Sequence, residues 1–149
     1  MEEINLSTIM LIGQDENLTK IITIDDEFFV DKSSYKLINQ SCKFFGSNLK
    51  ERIKMTNRLI NVSIKSPIII EERRNIIFFP LRSVREKVNI WISFNNLLKY
   101  EKQDNFTVLY FNGGKVISLD FSYYIIDNQV TRCMILDYEL NKRRKSLEK

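Results

Sequence analysis

The sequence predicts an α+β fold. One domain spans residues 1–149, built on a mainly antiparallel β-sheet, with one helix after an N-terminal hairpin and one at the C-terminus. Three observations carry this. β-Branched runs recur along the chain, separated by polar gaps rich in turn-forming residues. Two stretches, near 34–45 and after Ser122, place apolar residues at steps of three and four. No internal repeat, low-complexity tract or linker divides the chain, which holds only four glycines and two prolines.

Taken in order, Thr8 to Ile12 and Leu18 to Ile24 flank Gly13-Gln14-Asp15-Glu16-Asn17, which predicts a hairpin. A short run, Glu27 to Val30, follows. Asp31 or Ser33 then caps a helix over about Ser34 to Phe45, whose apolar face carries Leu37, Ile38, Cys42 and Phe45, and Gly46 ends it. Ser47 to Arg58 is polar and basic, a loop or a short helix. Strands are expected at Leu59 to Ile64, Ile68 to Ile70, Ile76 to Phe79 and Ile90 to Phe94. Glu71-Glu72-Arg73-Arg74-Asn75 reads as a charged hairpin tip, Pro80 blocks continuation, and Arg82 to Asn89 forms a second basic loop. Phe106 to Phe111 and Lys115 to Leu119 alternate around Asn112-Gly113-Gly114, residues that tolerate positive φ, and so form a tight hairpin. Ser122 caps the last helix, lined by Ile126, Val130, Cys133, Met134 and Leu140. Residues 1–7 and 142–149 are expected to be flexible ends.

Charge is segregated along the chain. Residues 1–31 carry eight carboxylates against Lys20, a net −7, whereas residues 32–87 carry thirteen Lys/Arg against four acids, a net +9. Such asymmetry points to a polyanionic partner, or to solvated charges sorted by chance. Cys42 and Cys133 are too few and too far apart for a metal cluster, and read as reduced and buried. No secretory signal or run of ~20 apolar residues is visible, so a cytoplasmic protein without a membrane span is expected. Alanine is absent while isoleucine, asparagine and lysine are heavily used, a bias that reflects an A/T-rich genome.

Catalysis finds little support. With no histidine, the commonest general base is missing, and the Ser-His-Asp and Cys-His arrangements with it. No GxxxxGK[ST] or GxGxxG phosphate cradle occurs. Asp25-Asp26-Glu27 lacks the ligand spacing of a calcium loop and reads as a solvated turn. No enzyme activity and no cofactor are expected.

Ser41-Cys42-Lys43-Phe44-Phe45-Gly46-Ser47 resembles the Ser-Cys-Arg/Lys-Phe-Phe-Gly-Ser signature of the ComK competence transcription factors. Pro67-Ile68-Ile69 is similar to that family's Pro-Ile segment, and Phe78-Phe79-Pro80 with Ser83 to its Phe-Pro-Thr-x-Ser element. Trp91-Ile92-Ser93, Phe111-Asn112-Gly113, and Asn128-Gln129 with Arg132 resemble three further elements, in the same order. Departures are Leu81 for threonine, Glu51 for glycine, and Asn89-Ile90 for a cysteine-containing approach to Trp91. The resemblance implies a bacterial activator of DNA-uptake genes that binds A/T-rich promoter boxes in double-stranded DNA, through the minor groove, as a homo-oligomer. Longer family members continue for several dozen residues past the position of Lys149, where adaptor-mediated proteolytic control is placed, so such control is not expected here. The shorter chain also suits an alternative, a modulator that acts by contact with a full-length factor.

No helix-turn-helix, zinc finger or heptad dimeriser is apparent, so arginine-rich tips and loops are the candidate DNA readers. They are Arg73, Arg74 and Asn75 on the tip, Arg82, Arg85 and Lys87 in the second loop, and Arg52 and Lys54 after the signature. Lys43 is either a phosphate contact or an exposed helix residue. Phe44, Phe45 and Trp91 read as core, Gln129 and Arg132 as structural, and Lys142 to Lys145 as a tail of sequence-independent affinity or none.

Overall fold

The computed structural model describes residues 4–148. Its strands are β1 (Thr8–Asp15), β2 (Leu18–Thr23), β3 (Glu27–Val30), β4 (Ile68–Glu71), β5 (Ile76–Pro80), β6 (Ile90–Ser93), β7 (Leu97–Gln103), β8 (Phe106–Phe111) and β9 (Val116–Leu119). Its helices are α1 (Ser34–Phe44), α2 (Leu49–Ile60) and α3 (Tyr123–Leu147). One sheet runs β3-β2-β1-β6-β5-β4 and a second β7-β8-β9; every pairing is antiparallel. The α+β class holds.

The larger sheet is covered on both faces, which explains the unbroken apolar runs of β4 and β5. Leu11, Ile21, Ile68, Ile70, Ile76, Phe78 and Trp91 pack with Leu37, Ile38 and Cys42 of α1. On the opposite face, Met10, Ile22, Ile69, Ile77, Phe79 and Ile92 meet Ile126, Val130, Cys133, Leu136 and Leu140 of α3 and the small sheet's Leu109, Phe111 and Leu119. α2 serves both cores: Leu49 and Ile53 join the first, Met55, Leu59 and Ile60 the second.

Several expectations are corrected. The segment after Gly46 is a full helix; Asn48 Oδ1 accepts from the Glu51 amide and caps it. Leu59 and Ile60 complete that helix instead of opening a strand, and Asn61 ends it with φ 56°. Strand β7 was not foreseen. Ser33, and not Asp31, caps α1. Met134 is 59 % exposed, because it lies off the buried stripe of α3. Ile4 is buried, and α3 runs on through residues 142–147; residues 1–3 and 149 lie outside the described ones.

The β8–β9 turn follows its reading, with Gly113 and Gly114 at φ 80° and 78°. A Cβ on Gly113 would stand 2.6 Å from Ile24 Cγ2, so glycine also lets this turn seat against the end of β2.

Candidate nucleic-acid interface

The connection between β4 and β5 turns at Glu72 to Asn75, where Asn75 takes φ 51°. The tip is fastened from two sides. Asn75 Nδ2 donates to Asp137 Oδ1 at 2.6 Å and to Asn141 Oδ1 at 2.8 Å, both on α3. Arg144, one turn further along α3, donates to the Glu72 carbonyl and to Asn75 Oδ1. From α2, Arg52 Nη1 lies 3.2 Å from Glu72 Oε2. Within the turn, the Arg74 amide donates to Glu71 Oε2 at 2.8 Å.

These bonds fix what the tip displays. Arg73 and Arg74 are exposed; the Arg74 Nε stands 3.7 Å from Glu71 Oε1, with the arginine side chain 58 % exposed. Arg143 and Arg144 line a shallow cleft beside them with Glu72, Leu140 and Leu147. Glu71, its side chain 9 % exposed, is the buried partner of this long pair, and the exposed Arg74 guanidinium keeps N–H donors free for a competing anion. Arginine forks on a strand-and-helix support can pair with phosphate oxygens or enter a groove too narrow for a helix.

The cations foreseen from sequence do not share one surface. Strand β5 rises ~13 Å between the two basic loops, which therefore sit at opposite ends of the sheet. Arg82, Arg85 and Lys87 are exposed at the far end, in a loop closed by Asn89. The Asn89 side chain accepts from the Arg82 amide at 3.1 Å and donates to the Ser83 carbonyl at 2.9 Å. Ser34 Oγ ties that loop to α1 through the Lys87 carbonyl, and the Arg82 guanidinium lies 5.7 Å from the Phe121 ring centroid.

Two candidates lie inside the fold. Asn75 is 9 % exposed, its side chain spent on α3; it is a fastener and offers nothing outward. Arg52 is 5 % exposed, held by Glu72 and by Met55 Sδ at 3.3 Å. Lys54 is exposed on α2 beside Glu51, and Lys43 is exposed in the last turn of α1, where it complements the helix dipole. Trp91 is fully buried as core, but Phe44 is 57 % exposed, set edge-on to Phe45 with 5.0 Å between ring centroids.

Gln129 and Arg132 act within the fold: Gln129 Nε2 donates to the Lys65 and Pro80 carbonyls, and Arg132 Nη1 to the Ile64 carbonyl. What the sequence reading missed is the place of Arg143 and Arg144 beside the tip. Leu136, Leu140 and Arg144 continue α3 at steps of four, a signal that the run is helical and not a tail.

The acidic first third keeps to the other side. The strand order places β3 five spacings from β4, ~24 Å across the sheet. Glu27 there meets Lys20 at 2.8 Å and Lys115 at 3.8 Å. Lys20, by hydrogen bond and charge, holds the Glu27 carboxyl below the usual carboxylate range. Among the described residues no group of three or more His, Cys, Asp or Glu could hold a metal ion, and no helix is long and apolar enough to cross a membrane. Both cysteines are free and buried; burial pushes the Cys42 thiol up to about 12 and Cys133 well above its ordinary value.

The sheet thus sets the arginines of a hairpin tip beside the basic end of α3, an arrangement that can bind an anion. Residues 2–145 match the family described as "ComK protein", and 134 residues are 30 % identical to the "Competence transcription factor" of Bacillus subtilis (strain 168), covering 87 % of this chain and 70 % of that relative. The chain belongs to the ComK family of competence transcription factors. No solved structure matches it.

Proposed function

We propose that the protein is a cytoplasmic activator of competence genes that binds A/T-rich promoter boxes in double-stranded DNA, working as a homo-oligomer and without a cofactor. The docking surface is the corner formed by the β4–β5 tip and the end of α3. One observation carries this reading: Arg73 and Arg74 project from a tip that Asn75, Arg144 and Arg52 fasten to two helices. A fastened tip loses little freedom on binding, so its charges are spent on the partner.

The choice of groove follows from shape. An A/T-rich minor groove is narrow and strongly negative, and takes in arginine side chains without a donor–acceptor code. Its ~6 Å width excludes a helix. Lys43, Lys54, Arg82, Arg85 and Lys87 supply at most phosphate contacts, which position a protein without reading sequence.

Gel shifts test the reading. An A/T-box duplex should compete at least tenfold better than a G/C duplex of equal length, and a minor-groove ligand should displace the protein. Equal competition by the two duplexes would remove the specificity claim, and indifference to the ligand would remove the minor groove.

A further inference from the structure

A helix that covers a sheet with one stripe normally turns a polar face to solvent. Helix α3 does not. Opposite its buried stripe stand Tyr124, Ile135 and Tyr138, 70 %, 49 % and 64 % exposed, with Met134 at the margin. With Asn128, Thr131 and Lys142, all exposed, they step along the helix by four and three residues alternately: 124, 128, 131, 135, 138, 142. That is the spacing of a seam along which a second helix lies.

We propose that this face is the interface between two copies of the chain, with their α3 helices antiparallel about a two-fold axis at Ile135. The inference rests on the reading of the protein as an oligomer and names the surface that makes it one. The seam is self-complementary. Asn128 and Lys142 each lie seven residues from Ile135, Thr131 four before it and Tyr138 three after it. Reversing the helix therefore lays Thr131 over Tyr138 of the second copy and Asn128 over its Lys142, while Ile135 meets Ile135. An isologous contact needs such a match.

Charge selects the direction. A parallel pair would set the basic run at 142–145 against its own copy, with Lys142, Arg143 and Lys145 facing themselves. The antiparallel pair carries that run toward the second copy's first turns, where Asp127 stands on the same flank. Opposite charges across the rim fix register more than they add affinity. Arg144 points the other way, to the tip, so the seam leaves the proposed DNA corner open.

The test uses the full chain without DNA, so that failure of the DNA reading does not affect it. Light scattering should give twice the chain mass, and Ile135→Lys should halve it while circular dichroism stays unchanged. With a short bis-maleimide, Ile135→Cys should give a covalent dimer, whereas Tyr124→Cys should not, its copies standing ~33 Å apart along the antiparallel pair. The native Cys42 and Cys133 are buried and do not compete. A monomeric wild-type chain would overturn the oligomer and the interface together. A dimer that persists in Ile135→Lys would overturn the interface alone, and cross-linking through both introduced cysteines would overturn the antiparallel arrangement.

Discussion

With Arg73 and Arg74 both replaced by alanine, affinity for an A/T-rich duplex falls roughly 60-fold at 0.1 M salt. Each phosphate neutralised contributes about 0.9 to the slope of log affinity against log salt, about eightfold per decade of salt for each contact. The slope of the double variant is accordingly smaller by about 1.8. Both side chains are exposed, so the fold survives and circular dichroism is unchanged. The matched control is Arg82→Ala with Arg85→Ala at the other end of β5. It removes the same charge, and its loss stays within a few-fold, because Arg82 lies over Phe121 and the loop stands away from the corner. A larger loss in the control than in the tip variant would move the docking surface to the far end of the sheet.

Replacing Asn75 by alanine costs about 4 kcal/mol of stability. Three side-chain bonds to α3 disappear, each worth on the order of 1 kcal/mol net. In addition, an alanine forced into the left-handed region costs about 1 kcal/mol. For a chain of this size that lowers Tm by about 8–16 °C. Asn75→Gly separates the two causes: it adopts φ 51° without strain but still loses the bonds, and should recover about 1 kcal/mol. Thermal unfolding followed by circular dichroism reads both values. Wild-type stability in the alanine variant would mean that α3 is held by its apolar stripe alone, and that the tip is not fastened.

Local patterns carried most of the fold. The β1–β2 and β8–β9 hairpins and helix α1 each announce themselves within about fifteen residues, through alternation, a turn sequence or a cap. Helix α2 is legible only as a loop or a short helix, because its apolar residues serve two cores: Leu49 and Ile53 face one, Met55, Leu59 and Ile60 the other, which leaves no single stripe to read. Strand β7 escaped for a different reason. Its side chains are mostly exposed, and its place comes from pairing with β8, not from burial.

The site was legible as a list of cations, not as a surface. The burial of Arg52 depends on Glu72, twenty residues away, and the role of Asn75 depends on Asp137 and Asn141, more than sixty residues away. No local pattern encodes either. The segregation of charge along the chain did survive, because the strand order sends β2 and β3, with the acidic turns at 15–17 and 25–27 beside them, to one edge and the β4–β5 tip to the other.

Amide hydrogen exchange with and without an A/T-rich duplex tests the central claim most directly. Residues 72–76 and 141–147 should slow on binding, while the acidic turns at 15–17 and 25–27 stay unchanged. Protection confined to residues 82–89, with none at the tip or the end of α3, would contradict the account.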